Sequence, residues 1–182
     1  MKIRPTLKEV EELAAEGKYK TVPLSCEILS DFITPIEAMR ILKNVSSHCF
    51  MLESAQADEK WGRYTFLGYD PLTSVTCSRG RMKIGDVEDT EDFKDVDLML
   101  FDKVIAFDNL RQVIVLIADM QLAEGETGYN KAALELKHMA ELLREGKKIR
   151  EPAGRLKGPV TPLFDRLADA ARGRVAANKA KR

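Results

Sequence analysis

Residues 50–55 read Phe-Met-Leu-Glu-Ser-Ala, and residues 61–69 read Trp-Gly-Arg-Tyr-Thr-Phe-Leu-Gly-Tyr. The first stretch is a short apolar run that ends in an acid and a hydroxyl. The second is rich in aromatic and β-prone residues, with a glycine near each end. These patterns predict two buried strands joined by a polar turn. Ser54 would then present a small hydrogen-bonding group at the end of a strand.

Similar β-rich runs predict further strands, and the turn residues Asp108-Asn109 predict a tight hairpin. The run Val113–Ile117 is apolar at every position, which predicts a strand covered on both faces. Strands clustered apart from helices are typical of an α+β fold, here antiparallel sheets with peripheral helices. The strands are predicted over 19–25, 48–54, 62–68, 73–77, 97–107 and 111–118.

Three helices are predicted. Thr6–Glu9 and Thr34–Glu37 are capping boxes, in which a threonine hydroxyl and a glutamate three residues later satisfy each other's backbone amides. A third, amphipathic helix is predicted over 129–145. The residues expected to face the core are Leu7, Val10, Leu13 and Ala14 in the first helix, Ile36, Met39 and Leu42 in the second, and Ala132, Leu136, Met139, Ala140 and Leu143 in the third.

At 182 residues the chain is long enough for one domain with a substantial core. We expect that domain over residues 1–145. Residues 146–182 hold eleven Lys or Arg against three Asp or Glu, and they read as a basic linker and tail with a short helix over 162–172. The net charge of the whole chain is zero, so its overall charge does not favour nucleic acid or a membrane as a partner.

Asp86–Asp97 contains seven acids and one lysine, which predicts an exposed loop rather than a magnesium site. Cys26, Cys49 and Cys77 are odd in number and widely spaced, which favours free thiols in a reducing cytoplasm. Neither a signal peptide nor an apolar run long enough to span a bilayer is recognisable in the sequence. His48 and His138 lie 90 residues apart and are interpreted as structural.

Several separate stretches resemble the N-terminal region of anthranilate synthase component I, and they occur in that family's order. They are residues 19–25, the helix start at 34–37, residues 52–55, residues 61–69, residues 97–109 and the helix near Tyr129. Together they span most of residues 3 to 165. Members of this family convert chorismate, with glutamine or ammonia, to anthranilate in tryptophan biosynthesis.

The resemblance implies an amino-terminal domain that senses L-tryptophan in feedback inhibition. It assigns the tryptophan contact to Ser54, with Leu52 and Glu53 as neighbours. Without context, a backbone-capping role for Ser54 is the simpler interpretation. Similarly, Arg63 beside Trp61 and Tyr64 predicts either a cation–π cluster at a binding surface or ordinary packing.

The sequence departs from the family in three ways, one of which is an Ala-, Arg- and Lys-rich tail after residues 161–165 that is unlike the family's continuation. A Gly- and Tyr-containing segment of the family is shortened near residues 86–92, and no residue of the catalytic, chorismate-binding domain is recognisable. We therefore expect no catalytic residue and no cofactor in this chain, since the family's Mg²⁺ belongs to that other domain. Three alternatives stay open: a truncated or frameshifted gene, a folded remnant, and a binding module that assembles with a separate catalytic domain or a glutamine amidotransferase component.

Overall fold

The computed structural model describes residues 1–53, 62–85 and 95–146, and these form an α+β fold in which all paired strands are antiparallel. The predicted fold class is therefore confirmed. The helices are α1 (Leu7–Ala15), α2 (Pro35–Leu42) and α3 (Gly125–Glu145), with a 3-10 turn at Leu122–Glu124. The strands are β1 (Ile3–Arg4), β2 (Thr21–Leu29), β3 (Cys49–Glu53), β4 (Tyr64–Tyr69), β5 (Thr73–Ser78), β6 (Arg81–Gly85), β7 (Val96–Leu100), β8 (Lys103–Asp108) and β9 (Val113–Gln121).

Six strands form the larger sheet, in the order β1-β2-β9-β8-β4-β3. Helix α3 packs against β2 and β9, and α2 packs against β3 and β4, so both helices cover the same face, which we call the helix face. The hydrophobic core lies here because alternate residues of each strand point to one side of a sheet. Its fully buried side chains include Leu24, Ile41, Leu42, Leu67, Ile105, Ile114, Leu116, Leu136 and Met139.

The opposite face of this sheet, which we call the open face, also carries apolar side chains. In β9, Ile114 and Leu116 are buried on the helix face, whereas Val113 and Val115 are only half-buried on the open face. The prediction that this strand is covered on both faces was therefore wrong for the described part of the protein. The open face carries Phe50, Leu52, Tyr64, Phe66, Val104, Val115 and Ile117.

Both predicted capping boxes are present. The Thr6 hydroxyl accepts a hydrogen bond from the Glu9 amide at 3.4 Å, and the Thr6 amide donates to the Glu9 carboxylate at 2.6 Å. The predicted core faces of the first two helices were partly wrong: Ala14 is exposed, and Ile36 is 62% exposed. In α2 the buried side chains are Ala38, Ile41 and Leu42. The predicted core face of α3 is confirmed in full.

Helix α3 begins four residues earlier than predicted, at Gly125 rather than Tyr129. Gly125 has a φ of +55°, a conformation that side-chain-bearing residues rarely adopt, and it joins the 3-10 turn to the helix. Gly128 lies where a Cβ atom would come within 2.8 Å of the Glu124 Cβ atom. Both glycines are therefore required by the backbone geometry at the start of α3. From the sequence alone, glycines at these positions could equally indicate a loop.

A second, three-stranded sheet has the order β6-β5-β7. Strand β6 was missed, although Arg79-Gly80 joins it to β5 with positive φ at both positions, as hairpin turns of two residues require. The predicted strand over 97–107 is two strands, β7 and β8, which end up in different sheets. The expected acidic loop over 86–97 ends earlier than predicted, because β7 begins at Val96, and residues 86–94 lie outside the described residues.

The predicted basic linker, tail and short helix at 162–172 also lie outside the described residues, so the expected boundary near residue 145 stays a prediction. In the part of the chain that the structure describes, no helix is both long enough and apolar enough to cross a lipid bilayer.

Candidate functional site at the end of strand β3

Strand β3 carries the two described residues of the predicted tryptophan site. Among the described strands it lies at the edge of the sheet and pairs with β4 alone, with Leu52 opposite Phe66 and Glu53 opposite Thr65. Because successive residues of a strand point to opposite faces, Leu52 lies on the open face and Glu53 on the helix face. Leu52 is 62% exposed, and Glu53 is also exposed. Ser54 lies outside the described residues, so its predicted role stays a prediction.

The position of β3 on β4 is fixed by an aromatic ring above a glycine. Phe50 is opposite Gly68, and a Cβ atom at residue 68 would lie 2.1 Å from the Phe50 Cε1 atom. The Phe50 ring also meets Phe101 edge to face, with ring centroids 4.8 Å apart. The ring therefore occupies the space that a side chain at residue 68 would need, and this contact holds Leu52 beside Phe66.

An aromatic surface adjoins Leu52 on the open face. The rings of Tyr64 and Phe66 lie 5.8 Å apart, and Phe66 is 38% exposed. The guanidinium carbon of Arg63 lies 4.9 Å from the centre of the Tyr64 ring, which is within the range of a cation–π contact. The predicted contact between arginine and tyrosine is therefore present, while Trp61, its predicted third member, lies outside the described residues.

Arg63 has a stronger partner in Asp108, which the sequence analysis did not identify as a site residue. The Arg63 Nε atom donates to Asp108 Oδ1 at 2.9 Å, and its Nη2 atom donates to Asp108 Oδ2. Asp108 is 1% exposed and also accepts the amides of Leu110 and Arg111. The Arg63 guanidinium and these amides lower the pKa of Asp108 to about 2, although burial opposes the shift.

The turn after β8 joins this ion pair to its surroundings. Arg111 donates to both carboxylate oxygens of Glu27, at 2.8 and 3.0 Å. Asn109 donates from its side chain to the hydroxyl of buried Thr65 at 3.3 Å. The sequence did suggest a turn at Asp108-Asn109, but the loop is four residues long, since Asp108 pairs with Val113. The turn residues Asp108-Asn109 predict a change of chain direction, but they do not predict which distant side chains the loop binds.

A second polar cluster lies at the helix-face end of β8. Lys103 contacts Asp70 at 3.2 Å and Asp102 at 3.5 Å, and its Nζ atom lies 5.5 Å from the centre of the Tyr69 ring. Burial alone would lower the pKa of Lys103, but these carboxylates raise it overall. Burial, with Glu135 nearby, raises the pKa of Tyr69. Both groups therefore keep their protons at neutral pH, which suits a structural role rather than that of a general base.

Ser46 organises the start of β3. Its Oγ atom accepts from the amides of His48, at 3.2 Å, and Asp70, at 2.9 Å, and donates to the His48 carbonyl. His48 therefore belongs to a structural turn, while His138 is exposed on α3. Among the described residues, no group of three or more His, Cys, Asp and Glu side chains could hold a metal ion. The three cysteines, all of them described, are free.

A cavity of about 500 Å³ lies away from β3, near β1 and β2. Three cationic side chains and one anionic side chain line it, and one of the cations, Arg111, is paired with Glu27. Its lining residues are Lys2, Arg4, Ser25, Cys26, Glu27, Arg111 and Val115. It therefore shares no residue with the predicted tryptophan site.

Comparison with known proteins relates the chain to one group of enzymes. It is 39% identical over 77 residues to anthranilate synthase component 1 of Acetivibrio thermocellus, in an alignment that covers 42% of this chain and 15% of that protein. It is 26% identical over 196 residues to anthranilate synthase component 1 of Pseudomonas putida, covering 75% of this chain and 39% of that protein. The probable anthranilate synthase component 1 of Schizosaccharomyces pombe is 25% identical over 187 residues, covering 79% of this chain and 38% of that protein.

These alignments confirm the resemblance that the sequence motifs indicated. The chain spans well under half the length of each of these relatives. The alignment with the Pseudomonas putida protein has 196 positions, more than the 182 residues of this chain, so some of its positions have no counterpart here. This agrees with an internal deletion, whose predicted location near 86–92 stays a prediction. No protein-family model matches the chain.

Proposed function

We propose that this chain, which is similar to part of anthranilate synthase component 1, is a tryptophan-sensing domain of the N-terminal type found in tryptophan biosynthesis. The observation that carries the proposal is the position of Leu52 and Glu53. They form the exposed end of an edge strand, next to the aromatic surface of Tyr64 and Phe66. The proposed role is feedback regulation in the cytoplasm, with L-tryptophan as the ligand.

The local geometry supports an indole ligand. Leu52 and Phe66 are neighbours across β3 and β4 and together offer an exposed apolar surface on the open face. An aromatic ring laid on that surface would bury apolar area and could stack on Phe66. Glu53 points to the opposite face of the sheet from Leu52. A ligand that contacts both Leu52 and Glu53 must therefore lie at the end of the strand. We assign the hydrogen bond to the ligand's polar groups to Ser54, the next residue.

The expected affinity is low because the described surface is flat. Covering about 100 Å² of apolar area contributes roughly 2.5 kcal/mol, and one good hydrogen bond adds about 1 kcal/mol. Their sum corresponds to a dissociation constant on the order of 1 mM. Most small-molecule sites bury over 70% of their ligand, whereas an indole on Leu52 and Phe66 would keep one face in water.

Isothermal titration calorimetry with L-tryptophan tests this proposal. Ser54→Ala should weaken binding about fivefold, the equivalent of roughly 1 kcal/mol. Ser47→Ala is the matched control, because the Ser47 hydroxyl lies before the strand and bonds to the His48 ring at 2.9 Å. It should bind tryptophan as the unchanged protein does. Sub-micromolar binding that is the same in the Ser54→Ala variant, or no binding at millimolar tryptophan, would overturn the assignment.

We also propose that the chain by itself does not make anthranilate. Anthranilate formation from chorismate needs groups that transfer protons and stabilise charge in one closed pocket. The polar clusters described above are ion-paired inside the fold, with Asp108 held by Arg63 and Lys103 held by Asp70 and Asp102. The Mg²⁺ that anthranilate formation requires would be bound by another domain or chain.

A second candidate function is a non-enzymatic module that assembles with a separate catalytic domain or a glutamine amidotransferase component. The observation that favours it is the open face, where Leu52 and Phe66 are exposed although a helix layer covers the other side of the same sheet. Mixing the chain with the catalytic portion of a related anthranilate synthase component 1 distinguishes the two functions. The module is favoured if the unchanged chain forms a complex with that portion, the Phe66→Lys variant does not, and neither binds tryptophan.

A further inference from the structure

The three-stranded sheet has one apolar face that points into solvent. The pairing of its strands places Ile84, Val75 and Leu98 side by side in one row and Met82, Cys77 and Val96 in the next. In these rows the outer strands are largely uncovered: Met82 is 70%, Ile84 69% and Leu98 60% exposed. We call these six residues, with Leu100 at 57% exposure, the small-sheet face.

Apart from Thr73, the polar residues of this sheet lie on its other side. Ser74, Thr76 and Ser78 alternate with the apolar residues of β5, and Ser74 is 4% exposed. Lys83 and Asp97 flank Thr76 on that same side. Lys83 and Asp97 are themselves exposed, so their face of the sheet meets water as a polar face normally does. The apolar face of such an antiparallel sheet normally packs against other structure, whereas here it is exposed as well.

The exposed apolar area is large for a soluble monomer. The five most exposed side chains of the small-sheet face leave roughly 600 Å² uncovered, at the upper end of the largest patch on a typical monomer. Among the described elements, the strands of this sheet pack broadly only against each other. Two such surfaces pressed together would bury about 1,200 Å², the lower limit for a specific, if weak, protein–protein interface.

We propose that the small-sheet face is a homodimer interface, at which two copies of this chain pack sheet against sheet. A second copy fits because none of the seven residues is charged, so the contact would desolvate no ion. The neighbouring Thr73 hydroxyl is already bonded to the Gly85 carbonyl at 3.0 Å. An uncharged apolar face can pack against a second copy of itself, as a twofold-symmetric interface requires. This inference does not rest on tryptophan binding.

Sedimentation equilibrium of the full chain between 1 and about 200 μM tests the dimer. The unchanged protein should be monomeric at the lowest concentration and dimeric at the highest, as expected for a small interface. Leu98→Lys should raise the dimer dissociation constant at least tenfold, because it places a charge in the contact. Leu134→Lys is the matched control, since Leu134 is 53% exposed on α3, outside the small-sheet face. It should dimerise as the unchanged protein does.

Cross-linking at Cys77 locates the interface independently. This half-buried thiol lies on the central strand, so a twofold axis near that strand brings the two copies of Cys77 close together. A short bismaleimide should link the unchanged protein into dimers and fail with Cys77→Ser, with circular dichroism confirming that each variant is folded. A monomer at every concentration, a dimer unaffected by Leu98→Lys, or cross-linking that persists in Cys77→Ser would overturn the proposal.

Discussion

Replacing Gly68 with alanine should destabilise the protein by about 2 kcal/mol. The added Cβ atom would lie 2.1 Å from Cε1 and 2.7 Å from Cζ of the Phe50 ring, so the ring must move. Overpacking of this kind costs about 1–3 kcal/mol, and losing the edge contact of Phe50 with Phe101 costs about 1 kcal/mol more. Removing a glycine from a strand returns roughly 0.5–1 kcal/mol.

Urea denaturation followed by circular dichroism measures this effect, and thermal denaturation should show a midpoint lower by roughly 4–8 °C. The control is the same change in a Phe50→Leu background, where the smaller side chain leaves room for the new methyl group. There the penalty should fall by at least about 1 kcal/mol. Equal penalties in both backgrounds, or a Gly68→Ala protein as stable as the original, would refute the pairing that places Leu52 beside Phe66.

Three further predictions concern acid stability, the core and catalysis. Because the folded state lowers the pKa of Asp108 from 3.8 to about 2, its stabilisation is complete above about pH 4 and is lost as the pH falls towards 2. Urea midpoints measured across this range should fall with pH, and Asp108→Asn should flatten that dependence; an unchanged slope would contradict it. Leu116→Ala, at a fully buried position, should cost about 3 kcal/mol in urea denaturation, while Val115→Ala on the open face of the same strand should cost about 1 kcal/mol or less; equal costs would mean that both faces are covered. Pure protein given chorismate, Mg²⁺ and ammonia should produce no anthranilate fluorescence; turnover abolished by a point change in this chain would show that it is catalytic.

Local signals in the sequence predicted the starts of the first two helices and the positions of most strands well. The capping boxes at Thr6 and Thr34 and the apolar face of α3 depend on residues three or four positions apart, which sequence spacing shows directly. The assignment of strands to sheets could not be predicted this way. A run that reads as one strand over 97–107 divides at Phe101-Asp102 because its two halves pair with different strands.

The candidate site was predicted only in part, for a similar reason. Leu52 and Glu53 were identified by resemblance, but their opposite orientations follow from pairing with Phe66 and Thr65. Asp108 was recognised as a turn residue, whereas its ion pair with Arg63 joins residues 45 positions apart. The missed strand β6 did have a local signal, the Arg79-Gly80 turn.

The most direct test of the proposed tryptophan-sensing role is a nuclear magnetic resonance titration of the ¹⁵N-labelled chain with L-tryptophan. Saturable shifts should concentrate at the amides of Leu52, Glu53 and Phe66, with an apparent dissociation constant on the order of 1 mM. The amides of Lys2 and Arg4, at the separate 500 Å³ cavity, should stay unchanged and serve as an internal control. D-tryptophan should produce smaller shifts if the ligand's polar groups are recognised. Shifts that cluster at the cavity, or no saturable shifts at all, would contradict the proposed role.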